Sequence, residues 1–368
     1  MSSEPLPGLY IHIPFCSRKC SYCDFYSVED TSLIQSYLKA LELEARLQKR
    51  YWQCTFDSLY LGGGSPSLLP PDKLEELRQI LLPYKLASKS EVTVEANPED
   101  VTLEKVDSWV RFGINRVSLG VQSFSQRGLA QGLGRTHSVS QTKGAIGLIL
   151  KAGLSLSIDL IFGWSGQTPK DWEEDLLCAT RCQASHISAY TLTPGPGTKL
   201  FLGLEEGFLN PLPEEETIAQ LFLMTGEILS AEGFNRYEVS NFAKRGHECR
   251  HNLKYWKRVP YLGLGPAAHS FDGIKRYANL SDLTAWSLAL DSGRTHRGFI
   301  EDITPDQAKL ELLLLSLRLS EGLPANKVRD QDKLSELIAG GYLFRDGTRI
   351  IPSEKGFLAA DYLARELA

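Results

Sequence analysis

Cys16, Cys20 and Cys23 are the residues of this chain best placed to do chemistry, crowded into the run IHIPFCSRKCSYCDF. A structural zinc ion takes four protein ligands, which three thiolates do not supply. Three thiolates suit a [4Fe–4S] cube, holding three irons and leaving the fourth open to a ligand that is not protein. An aromatic residue, Tyr22, stands directly before the third cysteine. The other cysteines do not extend the set. Cys178 and Cys182 repeat the C-x3-C spacing within a helical pattern, with no third thiol in reach, and read as two packed thiols on one helix face. Cys54 reads as packing ahead of a strand.

The elements that must position these thiols are legible from periodicity. The alternation over residues 8–14 predicts a strand that ends at the first cysteine. Further strands are expected at 57–62, 91–96, 115–121, 156–162 and 186–192, with helices near 31–49, 71–82, 103–112, 138–152 and 170–182. Repeated strand-then-helix units imply a parallel sheet with right-handed crossovers. The expected fold is α/β, a partial (β/α)6 TIM-like barrel whose open side admits a large substrate, with function at the C-terminal ends of its strands. A helix near 213–233 follows the Gly/Pro-rich loop 193–200. Residues 237–243 read as one strand, and an irregular aromatic stretch runs to about 277. From about 304 the pattern becomes helical and closes with a hairpin over 342–353, turned by Asp346 and Gly347, which predicts a small winged-helix-like module. The expected division is 1–235, 236–300 and 301–368.

Polar residues recur at the strand ends. The second strand runs into Gly62-Gly63-Gly64-Ser65, the third ends at Glu95, the fourth at Gln122, and the fifth carries Asp159; Arg135 follows Gln122. Tyr10 and His12 share one face of the first strand. The cysteine spacing, Tyr22 and the glycine run together resemble the signature of the radical S-adenosylmethionine (SAM) superfamily. That resemblance implies a [4Fe–4S] cluster on Cys16, Cys20 and Cys23, with the methionyl amine and carboxylate of SAM at the open iron and one-electron cleavage of its sulfonium. SAM needs a cationic partner for its carboxylate, for which Arg135 is suited, and anionic or amide partners for its amine and ribose, for which Glu95, Gln122 and Asp159 are suited.

Longer stretches narrow the resemblance. YIHIPFC, GGGSPS, VEANP, NRVSLGVQSF, LGRTH and IDLIFGWSGQT are similar to the coproporphyrinogen dehydrogenase (HemN-like) branch over nearly the whole chain. In that branch the residues matching Tyr10, Gly63, Gly64, Glu95, Gln122, Arg135 and Asp159 contact SAM, and Tyr22 and Ser65 fall in the same motifs. The stretch between Gln122 and Arg135 is one residue longer here than is usual. Where the dehydrogenase has a further Cys two positions after its third, this chain has Phe25, and only about eight residues precede its first strand. Both features resemble the HemW family of heme chaperones, as does His251-Asn252-Leu253-Lys254-Tyr255-Trp256, which matches an H-N-x-x-Y-W motif associated there with heme. The resemblance implies His251 as a heme ligand; His247 and Cys249 stand nearby as alternative ligands, and His269 reads as structural. It implies a chaperone that receives heme, passes it to an acceptor apoprotein and draws on an electron donor for its cluster. The alternative is an enzyme, the oxidative decarboxylase of coproporphyrinogen III.

Bulk properties narrow the partners. A net charge of −5 gives no basic field for nucleic acid or an anionic membrane. The most apolar run, LELLLLSLRL at 310–319, is interrupted by Glu and Arg, so no membrane-spanning segment is expected. The opening MSSEPLPGLY reads as neither a signal nor a transit peptide. Seven cysteines, an odd number, argue for reduced thiols, and the expected location is the cytoplasm.

Overall fold

The computed structural model describes residues 5–368. In chain order the first half consists of β1 (Gly8–Ile13), α1 (Ile34–Gln48), β2 (Thr55–Gly63), α2 (Pro71–Leu81), β3 (Lys85–Ala96), α3 (Leu103–Phe112), β4 (Arg116–Gln122), α4 (Val139–Lys151), β5 (Ser155–Phe162), α5 (Pro169–Arg181) and β6 (His186–Thr191). There follow α6 (Lys199–Glu205), α7 (Glu215–Ala231), β7 (Asn235–Glu238), β8 (Asn241–Ala243), α8 (Arg250–Trp256), β9 (Tyr261–Leu264), β10 (His269–Phe271), β11 (Lys275–Asn279), α9 (Leu283–Asp291) and β12 (Arg297–Asp302). The chain closes with α10 (Pro305–Ser316), β13 (Leu323–Pro324), α11 (Gln331–Ala339), β14 (Leu343–Asp346), β15 (Arg349–Pro352), α12 (Glu354–Leu358) and α13 (Ala360–Leu367). Local chemistry sets several boundaries. Ser138 with Gln141, and Thr168 with Asp171, form reciprocal capping boxes that start α4 and α5, and Pro169 fills the first turn of α5. Gly113, at φ +100°, ends α3 in the left-handed region.

The chain divides into two compact units. The first holds residues up to Ile158, Thr193–Asn210 and Val259–Asp302. Its strands run in the order β12-β11-β10-β9-β1-β2-β3-β4. The members β9, β1, β2, β3 and β4 are parallel, with Tyr10 paired to Tyr60 and Gly263, and Tyr60 to Thr93; β10, β11 and β12 are antiparallel. Strands covered on both faces carry apolar residues in near-continuous runs, and Ile11, Ile13, Leu61, Val94, Val117 and Leu119 are fully buried. The fold is α/β with a mostly parallel central sheet, as the alternating pattern predicts.

β5 passes from the first unit to the second between Ile158 and Asp159. The second unit holds Asp159–Leu192, Pro211–Arg258 and Ile303–Ala368. Within it β6, β8 and β7 lie in that order as antiparallel neighbours. A separate sheet, β13-β15-β14, packs with α10, α11 and α13 around Leu317, Leu334, Leu337, Ile350 and Leu363. The expected hairpin is present, with Asp346 opposite Arg349.

Two expectations are corrected. Residues 237–243 are not one strand but the end of β7, a turn and β8, because the chain breaks at Val239, whose N–H donates to the Arg318 carbonyl at 3.0 Å. The stretch read as irregular to about 277 is ordered into α8, β9, β10 and β11, elements of three to seven residues. Such short elements span too few residues to show a period.

Candidate functional site

The cysteine loop is zipped at its base. Cys16 N–H donates to the Val28 carbonyl (2.9 Å) and Val28 N–H to the Pro14 carbonyl (2.7 Å), so the chain leaves β1 and returns beside it. Between these two bonds Phe15 is fully buried edge-on against Tyr37, whose hydroxyl donates to the His12 carbonyl at 2.8 Å. Within the loop Cys23 N–H reaches the Cys20 carbonyl at 3.3 Å, and Lys19 N–H donates to Glu29 Oε1 at 2.9 Å. Cys16, Cys20 and Cys23 are half-buried free thiols. Burial pushes Cys16 and Cys23 up, and charge on the neighbouring cysteines pushes the same way.

One side of the loop is bound to the strand ends by a continuous hydrogen-bonded arc. Arg135 Nη1 donates to Cys20 Sγ at 3.2 Å and its Nη2 to Asn97 Oδ1. Asn97 Nδ2 donates to Ser65 Oγ at 2.7 Å, and the Ser65 hydroxyl donates to Cys16 Sγ at 3.7 Å. Two of the three cysteines are thereby tied together through residues from the ends of β2 and β3 and from the segment after β4. Burial works against the Arg135 charge, but Tyr22, Cys20 and Glu99 outweigh it and hold the guanidinium charged. Its Nε is buried with no hydrogen-bond partner. Tyr22 is pushed up by burial and lies against Cys20 and Arg135. The Arg135 segment is itself anchored by the buried His137, which bonds the Val121 carbonyl at 3.1 Å and stands 3.4 Å from Glu99. Burial alone would raise Glu99, but His137 and Arg135 bring it down to about 2.

The glycine run lies flat beside the loop for steric reasons. Gly63 has φ +110°, and a Cβ there would lie 2.6 Å from the His12 ring; a Cβ on Gly64 would meet the Phe15 carbonyl at 2.7 Å. Gly64 N–H donates to the Ile13 carbonyl (2.9 Å) and Ser65 N–H to the Phe15 carbonyl (2.7 Å), extending the β1–β2 ladder into the loop. Glu95 fixes the turn, accepting from Gly63 N–H at 3.1 Å and from the Tyr60 hydroxyl at 2.9 Å. At the end of β4, Gln122 sits in the left-handed region at φ +66°, where a residue with a side chain is uncommon. His12 is structural: it takes the Tyr10 hydroxyl at 3.1 Å and the Tyr26 carbonyl at 3.0 Å, and burial lowers it to about 4.

Thus Tyr10, Tyr22, Gly63, Gly64, Ser65, Glu95, Gln122, Arg135 and the three cysteines all belong to the first unit. Asp159 belongs to the second, on β5, where Oδ1 accepts from the Ser188 hydroxyl at 2.7 Å. His251 is also in the second unit, on α8. It is 1% exposed, with Nε2 2.9 Å from the Tyr255 hydroxyl, and Tyr255 is the more accessible member of the pair at 36%. His247 is exposed, Cys249 fully buried, and His269 exposed on β10. Cys178 and Cys182 are half-buried at the end of α5, where the Cys182 thiol donates to the Cys178 carbonyl at 3.1 Å, and Cys54 is half-buried just ahead of β2. Sequence reasoning missed Asn97 and Tyr60. Asn97 stood in the VEANP stretch without a role, and only the fold brings its amide between Ser65 and Arg135.

Among the described residues no group of three or more His, Cys, Asp or Glu converges on a single metal position. A mononuclear site would draw its sulfurs to about 2.3 Å from one ion. The donor set fits a cluster: three free thiols, a guanidinium and a hydroxyl donating to sulfur.

Residues 10–179 match the radical SAM superfamily. A heme chaperone HemW from Mycobacterium tuberculosis is 33% identical over 376 residues, spanning 100% of this chain and 96% of that protein. The chain belongs to the HemW family. A second member, from Bacillus subtilis, is 34% identical over 91% of this chain and 89% of its own. Coproporphyrinogen III oxidase HemN from Escherichia coli has the same fold, with a TM-score of 0.85 over 99% of this chain and 90% of its own, at 21% identity. Family membership implies a [4Fe–4S] cluster and SAM. No helix among the described residues is long and apolar enough to cross a membrane.

Proposed function

We propose that this protein is a heme chaperone that holds a [4Fe–4S] cluster on Cys16, Cys20 and Cys23, binds SAM beside it, and carries heme to an acceptor apoprotein. The observation that carries the proposal is the arc from Cys20 through Arg135, Asn97 and Ser65 to Cys16. It spaces two thiols rigidly and supplies positive charge where thiolates must accumulate. When bound, the cluster supplies an open iron for SAM and an electron that a donor protein renews. The chain's own residues do the rest. Arg135 has a buried Nε without a partner, a donor available to the SAM carboxylate. Glu95, already turned toward the Gly63 amide, suits the methionyl amine, with Gly64, Ser65 and Gln122 along the same edge. Tyr10 and Tyr22 border the site, and burial keeps both phenols protonated at neutral pH.

Phe25, at the position of the dehydrogenase's additional cysteine, offers no further thiol, which favours heme handling over porphyrinogen oxidation. For heme we assign His251 as the iron ligand, with Nε2 exchanging its Tyr255 partner for the metal and Tyr255 and Trp256 flanking the macrocycle. Asp159 we assign to SAM through the resemblance of IDLIFGWSGQT alone.

The test is an anaerobic heme titration of the cluster-loaded chain and of His251→Ala, followed in the Soret region, with coproporphyrinogen III turnover measured in parallel. Saturable heme binding by the parent, lost in the variant, with no turnover supports the proposal. Turnover without heme binding overturns it.

A further inference from the structure

A cavity of about 1260 Å3 opens in the first unit at the end of the sheet opposite the cysteine loop. Its walls come from segments entering the parallel strands: Pro7 before β1, Trp52 and Cys54 before β2, Pro260 before β9. The cysteines leave β1 at its far end, roughly 16–20 Å away at about 3.3 Å per residue. The volume exceeds the ~300–1,000 Å3 of small-molecule sites, so a ligand of nucleotide size fits with water around it.

Three features select the ligand. The first is a rigid aromatic wall. Trp52 stacks on Phe56 with centroids 6.0 Å apart and donates from Nε1 to the Tyr277 hydroxyl at 3.2 Å, and Tyr51 stands free at the rim, 79% exposed. The second is an uncommitted cation. The Arg297 guanidinium lies 4.0 Å over the Tyr277 ring and makes no ion pair among the described residues. The neighbouring Lys275 is held by Asp302 at 3.0 Å, and the Asp272 carboxylate is taken up by the N–H groups of Ile274 and Lys275. The third is an orphaned acceptor. Gln48 is 3% exposed and lines the cavity, yet its Oε1 has no partner, while its Nε2 meets His296 at 3.4 Å. A buried acceptor left unpaired is costly, and a ligand N–H would satisfy it.

The geometry points to a binding site for a planar nitrogen heterocycle bearing a phosphate: ring against the aromatic wall, ring N–H to Gln48 Oε1, phosphate on Arg297. Arginine suits phosphate through its paired donors, and its stack on Tyr277 already fixes the guanidinium plane. At this distance from the thiols the ligand takes no part in the chemistry there.

The experiment titrates the cluster-loaded, full-length chain, saturated with SAM so that the strand-end site is filled, with FMN and with AMP, using calorimetry. Saturable binding of either probe, weakened about tenfold or more by Arg297→Gln and likewise by Gln48→Leu, supports the site; which probe binds names the ring. Parent-like thermal melting of both variants excludes unfolding as the cause. Absence of saturable binding of both probes, or binding that neither substitution alters, overturns it.

Discussion

Gly63→Ala isolates how tightly the glycine run is constrained. The added Cβ faces two separate penalties. At φ +110° an L-residue is held in a sparsely populated conformation, costing about 1–3 kcal/mol. The same atom would lie 2.6 Å from two atoms of the His12 ring, an overpacking worth about 1–3 kcal/mol more. The ring has little freedom to retreat, since both nitrogens are engaged, by the Tyr10 hydroxyl and the Tyr26 carbonyl. The expected loss is therefore about 2–6 kcal/mol. Urea unfolding of the cluster-free chain, followed by tryptophan fluorescence, measures it, and a cycle with His12→Ala separates the parts. Removing the ring relieves the overpacking but not the backbone penalty, so the double variant should lose about 1–3 kcal/mol less than the two single losses combined. Unfolding of Gly63→Ala at the parent's midpoint, or strict additivity in the cycle, would refute the steric reasoning.

Two further outcomes follow from the same region. His12 falls from the ordinary 6.5 to about 4 in the folded chain, so the unfolded chain binds the extra proton between those values. The stability this provides is complete above pH 6.5 and declines as pH drops toward 4, by about 3 kcal/mol; in urea titrations across that window His12→Gln should flatten the decline, and an unchanged slope would contradict it. Asn97→Ala leaves the Ser65 hydroxyl and Arg135 Nη2 without their partner, each worth about 1–3 kcal/mol if unsatisfied, so iron should be lost to a chelator about tenfold faster or more than from the parent. Equal rates would mean the arc does not support the cluster.

The sequence displayed the thiols and the strands that end beside them because both depend on local order: Cys16 follows the end of β1 by three residues, and the apolar runs of β1–β6 are long enough to read. What stayed hidden depends on contacts between distant segments. β9 joins the sheet beside β1, with Leu9 opposite Leu262, although only four residues long and some 250 positions away. Asn97 became part of the site only when the fold set it between Ser65 and Arg135. His251 was visible as a ligand type, but the Tyr255 hydroxyl as its partner was not.

The central claim, a cluster on three cysteines with SAM at its open iron, is tested most directly by electron paramagnetic resonance of the anaerobically reconstituted, reduced chain before and after SAM addition. Iron and sulfide should match one [4Fe–4S] cluster per chain and the spectrum should change when SAM binds, with the cluster signal lost in Cys20→Ala. A full cluster in Cys20→Ala, or a parent spectrum indifferent to SAM, would contradict it.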